Sequence, residues 1–126
     1  MRAPAAAALD RLKPSQANSV RDALTAAASR DDRTLEVATL IAGGLDKPVA
    51  LAVLARLEAA GALVLRRRFF HVSDACDPSR AFEHRDYRDG APGLPCACAV
   101  CGEVIEGESE VEYETYAVLR PGGELP

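Results

Sequence analysis

Three of the four cysteines of this chain lie within six residues of one another, at Cys96, Cys98 and Cys101. The spacing Cys98-x-x-Cys101 is typical of a metal-binding knuckle, in which two thiolates three positions apart point at one ion. Gly102 directly follows and lets the backbone curl around the two sulfurs. Because zinc in structural sites takes four ligands, other parts of the chain must supply the rest.

Two ligand sets fit this requirement. The candidate ligands each carry a thiol or an imidazole: Cys76, Cys96, Cys98, Cys101, His71 and His84. The first set uses all four cysteines and keeps the two histidines as backup ligands. The second set replaces Cys96 with His71. Either set fills all four positions, so it predicts a structural zinc, since a catalytic zinc needs an open position.

Two interpretations of the cysteines without a metal stay open. In one, the buried thiols simply pack as small apolar groups. In the other, Cys96, Cys98 and Cys101 form a thiol redox sensor, whose sign is a reversible change in binding with oxidant.

The remaining sequence offers little chemistry. Neither histidine belongs to a recognisable nucleophile arrangement, and no glycine-rich phosphate loop is present. We therefore expect a protein that is not an enzyme. The sequence lacks an apolar run of about 18 residues and a signal-peptide pattern, so we expect a cytoplasmic protein without a transmembrane helix. In a cytoplasmic chain, clustered cysteines favour metal over disulfide.

The net charge of −4 is unevenly distributed. Residues 1–75 carry 11 Lys and Arg against 8 Asp and Glu, whereas residues 76–126 carry 4 against 11. The first part tolerates a polyanionic partner, and the second part repels one.

The pattern of apolar residues predicts three helices and two pairs of strands. The predicted helices cover residues 15–29, 34–42 and 47–60, and Gly61 ends the third. Their predicted inward residues are Ala17, Val20, Leu24 and Ala27; Leu35, Ala38 and Ile41; and Val49, Val53, Leu54 and Leu57. Two short strands, 62–65 and 69–72, are predicted to flank a tight basic turn at Arg66-Arg67-Arg68. Near the C-terminus, residues 103–105 and the alternating residues 111–119 predict strands on either side of a turn.

The order helix, helix, short turn, helix, hairpin resembles a winged helix. The stretch Leu57-Glu58-Ala59-Ala60-Gly61-Ala62-Leu63-Val64 resembles the Leu-x-x-x-Gly-Leu-Val junction between the third helix and the wing, with Ala62 as an extra residue. The resemblance covers residues 15–73 and implies a three-helix core with a β-hairpin, often a DNA-binding module. The knuckle followed by a hairpin resembles half of a zinc ribbon.

These resemblances predict an α+β chain with two modules. A flexible or helical extension (1–13) precedes a winged-helix domain (14–75). A small antiparallel module like a zinc ribbon (76–120) and a tail (121–126) follow.

The first functional hypothesis is a winged-helix transcriptional regulator that binds DNA. Arg66, Arg67 and Arg68 then contact phosphates from the wing. Further backbone contacts are expected from the basic residues of the helical region: Lys47, Arg56, Arg21, Arg30 and Arg33. Such regulators are often dimers, and the first helix with its Ala-rich extension is a candidate homodimer interface.

The second hypothesis is an adaptor that docks a partner protein. Between Pro48 and Gly61, the predicted recognition helix has Arg56 and Glu58 as its only polar residues, too few to read base edges. A winged helix followed by a zinc ribbon resembles the α-subunit of general transcription factor E, whose modules mostly serve protein contacts, although that family has two knuckles. The high Ala, Arg and Gly content suggests a GC-rich bacterial genome, where similar small proteins serve as regulators or as adaptors, for example in defence operons.

Overall fold

The computed structural model describes residues 4–73, 76, 82–84, 94–98, 100–123 and 125–126, of which residues 82–84 and 108 are described by their backbone alone. Within these residues the chain is α+β with small antiparallel sheets. The helices are α1 (Pro4–Ala7), α2 (Pro14–Ala28), α3 (Val37–Ala42) and α4 (Lys47–Ala59). The strands are β1 (Thr34–Glu36), β2 (Leu63–His71), β3 (Phe82–His84), β4 (Cys96–Ala97), β5 (Val104–Ile105) and β6 (Val111–Leu119), and a 3-10 turn covers Glu108–Glu110. In the described part of the chain, every helix is too short or too polar to cross a membrane.

The chain forms two compact units. Residues 1–65 and 116–126 form the helical unit, and residues 66–115 form the cysteine unit. Both boundaries fall inside a strand, one in β2 and one in β6. The end of β6, from Tyr116 to Leu119, therefore belongs to the helical unit, and the start of β6 belongs to the cysteine unit. The division into modules after residues 13, 75 and 120 stays a prediction.

Helices α2 and α4 lie close to where the sequence predicts them. In α2 the predicted inward residues are all buried, namely Ala17, Val20, Leu24 and Ala27. Helix α4 begins at Asp46, whose carboxylate accepts a hydrogen bond from the Val49 N–H at 3.0 Å, with Pro48 in the first turn. It ends before Gly61, whose φ of 81° is the left-handed conformation that glycine tolerates best.

The predicted helix 34–42 is wrong in its first turn. Residues 34–36 form β1, and α3 begins only at Val37. Arg33 has a positive φ of 54°, and the Asp32 carboxylate accepts a hydrogen bond from the Thr34 N–H at 3.0 Å. This local turn prevents the helix from starting at Thr34, and pairing with β6 makes residues 34–36 a strand.

The late start of α3 also changes its buried face. Val37 and Leu40 are buried, whereas Ala38 is exposed and the Ile41 side chain is 44% exposed, contrary to the prediction for both. Leu35 is buried as predicted, but from β1, where it pairs with Ala117 of β6.

The predicted hairpin with a basic turn is also wrong, because β2 runs without a break from Leu63 to His71. Its partner is β6: the Arg120 N–H donates to the Ala62 carbonyl at 3.1 Å, and the Val72 N–H donates to the Glu110 carbonyl at 2.7 Å. These two bonds lie at opposite ends of β2, so the strands run antiparallel. The three arginines include no Gly, Asn, Asp or Pro, the residues that turns prefer, so a continuous strand is the local solution.

The strands form two antiparallel arrangements. The larger sheet has the order β1-β6-β2-β3, with short strands at both edges, and the smaller sheet pairs β4 with β5. In the larger sheet Arg68 pairs with Glu83, and in the smaller sheet Cys96 pairs with Ile105. The long connection between β2 and β6 thus contains β3, β4, β5 and all four cysteines.

Candidate metal centre

Four metal-binding side chains converge in the cysteine unit. They are His71, Cys76, Cys98 and Cys101, and their ligand atoms all lie within 4.8 Å of one another. His71 ends β2, Cys98 follows β4, and Cys101 precedes β5. The cluster therefore joins the start of the long β2–β6 connection to a hairpin within it, and its four residues could hold a metal ion.

Two distances within the cluster agree with a four-coordinate ion. The Cys76 and Cys98 sulfurs are 3.7 Å apart, and His71 Nδ1 lies 3.3 Å from the Cys101 sulfur. A tetrahedral zinc with Zn–S bonds of about 2.3 Å places two sulfurs about 3.8 Å apart. The same geometry with a Zn–N bond of about 2.0 Å gives a sulfur–nitrogen distance of about 3.5 Å. The arrangement is compatible with zinc and leaves Nδ1 as the histidine atom that faces the ion.

The backbone of residues 98–102 turns around the two sulfurs, as the sequence of the knuckle predicts. The Gly102 N–H donates to the Cys98 carbonyl at 2.9 Å, and the Cys98 N–H donates to the Glu103 carbonyl at 2.8 Å. Gly102 has a φ of 78°, which explains why glycine follows the second cysteine. The Val100 N–H points at the Cys98 sulfur at 3.4 Å. This amide stabilises a thiolate at Cys98.

A small apolar group surrounds the sulfurs. Cys76, Cys98 and Ile105 are buried together, and the half-buried residues packed against them are Leu94, Cys96, Val100, Cys101 and Val111. His71 is only 3% exposed. A buried imidazole and buried thiols need polar partners, and here they find them in one another and in the Val100 N–H.

The two buried thiols of this cluster differ in acidity. Burial raises the pKa of Cys76 to about 12, and the neighbouring Cys98 and Cys101 add to that rise. Burial alone would also raise the pKa of Cys98, but the N–H groups of Cys101 and Val100 and the two adjacent thiols lower it to about 6. The difference in pKa favours a thiolate at Cys98 and a neutral thiol at Cys76. A cation bound at the cluster would take the place of the Cys76 proton.

The structure brings together the second of the two predicted ligand sets. The first set included Cys96, which packs beside the cluster but is not one of its four ligand residues. His71 takes that place because β2 continues to residue 71 and ends beside the knuckle. The side chain of His84, the other backup ligand, lies outside the described residues. Local spacing identified Cys98 and Cys101, but the reach of β2 cannot be read from spacing.

The three arginines that were predicted to contact phosphates from a turn lie inside a strand. Arg66, Arg67 and Arg68 are half-buried within β2, not at the tip of a turn. The Arg67 guanidinium stacks 4.2 Å from the centre of the Tyr113 ring. Arg66 Nε is buried, and it has no hydrogen-bond partner among the described atoms.

Five basic residues of the helical unit were predicted to contact a DNA backbone. Three of them donate hydrogen bonds within the unit, and the other two lie on α4. Arg33 donates to the carbonyl groups of Leu119 and Arg120, at 3.2 and 3.1 Å, and so attaches the end of β6 to the turn before β1. Arg30 donates to the Thr34 carbonyl and Arg21 to the Asn18 side chain, so both guanidinium groups have contacts within the unit. Lys47 is exposed in the first turn of α4, and Arg56 is half-buried in its last turn.

Comparison of the chain with protein-family models, with curated proteins and with solved structures found no match.

Proposed function

We propose that this chain is a zinc-stabilised interaction module without enzymatic activity, which docks a partner protein. The observation that carries this proposal is the closed donor set of one imidazole and three thiols. Four such ligands fill the coordination of zinc and leave no position for a substrate or a reactive water. The metal then has a structural task, and function belongs to the surface that it holds in place.

Zinc is the proposed ion because of the chemistry of the donors. Three thiolates and one imidazole suit zinc, and oxygen-preferring cations such as magnesium and calcium favour other ligands. The long connection between β2 and β6 gains most from such a clip, since the entropy of closing a loop grows with its length. The β4–β5 pair with its knuckle is the part that is like half of a zinc ribbon.

The helical unit is proposed to be of the winged-helix type. In support, α2, α3 and α4 are followed by two long antiparallel strands, β2 and β6. In this proposal residues 72–110, with the metal cluster, take the place of the simple turn that a small wing has. The wing is then the part of the chain that the zinc organises.

The exposed side chains of α4 and β6 suit a protein partner better than DNA. The exposed residues of α4 include Ala52, Ala55 and Ala59, which offer no hydrogen bonds to base edges. On β6, Glu112 and Glu114 are exposed, so the strand that neighbours the arginines of β2 presents negative charge. Like charges directly at a DNA backbone oppose binding.

Elemental analysis together with recovery of partners tests this function. We expect about one zinc per chain in protein purified without chelator, and a defined protein that co-purifies from the native host. The same preparation should bind duplex DNA weakly at 50 mM salt. A metal-free chain that is folded and monomeric, with no partner at all, contradicts the proposal.

The second candidate function is the DNA-binding regulator. The observation in its favour is the position of Lys47, exposed at the start of α4, together with the row Arg66, Arg67 and Arg68 on one strand. Charge reversal of the three arginines should then abolish binding, and the logarithm of affinity should fall steeply with salt. Absence of duplex binding at low salt removes this candidate.

A further inference from the structure

Two valines of the cysteine unit are strongly exposed beside the metal cluster. Val72 is 50% exposed and Val104 is 58% exposed, at positions that directly follow His71 and directly precede the buried Ile105. Of the four large apolar side chains that are exposed in the described residues, the others are Tyr113, which Arg67 covers on one face, and Ile41 of the helical unit.

Hydrogen bonds bring the segments of the two valines together. The Ser73 hydroxyl donates to the Glu103 carboxylate at 3.2 Å, so the residues after Val72 and before Val104 touch. The Val72 N–H donates to the Glu110 carbonyl at 2.7 Å. These contacts place both valine segments close to each other and to the cluster.

Carboxylates frame this apolar face. Glu103 and Glu106 are exposed, and the Glu106 N–H donates to the Glu110 carboxylate at 2.7 Å, which keeps Glu106 close to Val72. No ion pair with a described cation neutralises Glu103 or Glu106. From residue 103 to residue 114 the chain has a glutamate at every even position from 106 and no Lys or Arg. We call Val72, Val104, Glu103 and Glu106 the valine patch.

We infer that the valine patch binds a basic segment of the partner protein, one that places Lys or Arg side chains on the glutamates and an aliphatic side chain on the valines. This inference rests on the proposed adaptor function and names its surface. Charge complementarity chooses the occupant, because a basic protein segment places its cations on the exposed glutamates, whereas DNA would bring further negative charge onto them. The apolar contact supplies affinity, and the carboxylates supply orientation and selectivity.

A peptide titration of the zinc-loaded full chain tests the patch. The probe is a synthetic decapeptide in which lysine and valine alternate, and its two controls replace lysine with glutamate or valine with serine. We expect only the first peptide to shift the amide resonances of residues 72–73 and 103–106, with binding that weakens as salt rises. Shifts centred on the helical unit, or equal shifts with all three peptides, overturn the inference.

Paired variants locate the site. Val72→Ser with Val104→Ser, and separately Glu103→Gln with Glu106→Gln, should each weaken binding of the lysine–valine peptide by roughly 10-fold, the effect of losing about 1.4 kcal/mol. The matched controls lie in the helical unit: Ile41→Ser for the valines, and Asp22→Asn with Asp31→Asn for the glutamates. Every variant must retain the zinc content of the parent, which separates loss of the surface from loss of the fold. Unchanged binding in both patch variants overturns the inference.

The same variants distinguish failure of the patch from failure of the adaptor function. If a protein partner co-purifies equally well with Val72→Ser/Val104→Ser, the patch is wrong and the adaptor function stands. If neither a partner nor the basic peptide binds, both fail. A dimer in sedimentation that Val104→Ser dissociates, or duplex DNA that competes with the peptide, overturns the patch as a site for a basic protein segment.

Discussion

The two units of this chain are held together in different ways. The helical unit has a continuous apolar core, to which α2, α3, α4 and the ends of β2 and β6 contribute. Its fully buried large side chains are Val20, Leu24, Leu35, Leu40, Leu45, Val53, Leu54, Leu57, Leu63 and Leu119. In the cysteine unit, the described side chains of this kind are Phe69 and Ile105.

This difference shows how a sequence can stabilise a region in which few of the described large apolar side chains are fully buried. Among its described residues, the cysteine unit has few fully buried large side chains to offset the entropy of ordering its long connection. A structural zinc supplies about 10–16 kcal/mol of apparent binding free energy, and in such a module this energy drives folding. The helical unit obtains its stability from burial, at about 25 cal/mol per Å² of apolar surface.

The largest expected effect comes from breaking the metal centre. Cys98→Ser, or removal of metal with a chelator, should abolish the ordered fold of the cysteine unit while the amide resonances of α2 and α4 remain dispersed. Two-dimensional NMR with elemental analysis measures both effects in one sample. Ser109→Ala, an exposed change in the same unit, should leave spectrum and zinc unchanged. A fully dispersed spectrum after metal removal contradicts this prediction.

The next effect comes from breaking the apolar core. Leu54→Ala removes a fully buried side chain from α4 and should lower the free energy of unfolding by about 2–5 kcal/mol. Under native conditions the zinc content should not change, since Leu54 is not among the residues around the metal cluster. Denaturation followed by circular dichroism, with Ala55→Ser as the exposed control on the same helix, measures the loss. Release of zinc from folded Leu54→Ala protein would be inconsistent with two separate sources of stability.

A smaller effect is expected at Glu110. Its carboxylate accepts hydrogen bonds from the N–H groups of Glu106 and Gly107, and these bonds lower the pKa of Glu110 in the folded state. A lowered folded pKa means that the carboxylate stabilises the turn above the unfolded value of about 4.3, and that this contribution is lost as the pH falls through the folded pKa.

Glu110→Gln tests this sign. At pH 7 the amides of Glu106 and Gly107 should exchange with solvent faster in the variant than in the parent, and the difference should vanish in acid once the parent carboxyl is protonated. Exposed Glu112→Gln is the control. Equal exchange rates at pH 7 would show that the carboxylate does not hold the turn.

The smallest effect is expected at Cys96, and it sharpens the ligand set. Cys96→Ser should keep one zinc per chain, because His71 and not Cys96 belongs to the four-residue cluster. Cobalt substitution tests this ligand set. The thiolate-to-cobalt absorption should keep the intensity expected for three thiolates in both the parent and the variant. His71→Ala should instead lower metal affinity. Loss of zinc in Cys96→Ser would restore the set of four cysteines.

Local patterns in the sequence predicted the features that depend on neighbouring residues. The apolar stripes placed α2 and α4, Gly61 placed the end of α4, and the Cys98-x-x-Cys101-Gly102 spacing placed the knuckle. Each of these depends on contacts within a few residues, which the sequence encodes directly.

The features that the sequence did not predict depend on distant pairing. Leu35 fits a helical stripe, but pairing of β1 with β6 across most of the chain makes it a strand residue. His71 completes the metal cluster only because β2 stays extended through three arginines, one of which stacks on Tyr113. Tertiary contacts of this kind override local preference, and spacing alone contains no record of them.

The order of the strands also bears on how this protein avoids aggregation. In the larger sheet the edge strands β1 and β3 each have three residues, while the nine-residue strands β2 and β6 lie between them. Short edges are poor templates for another chain. If β3 separated on metal loss, β2 would become a long edge carrying Phe69 and Phe70. A metal ion held by the four-residue cluster would then do more than order the cysteine unit, because it would also protect the sheet from self-association.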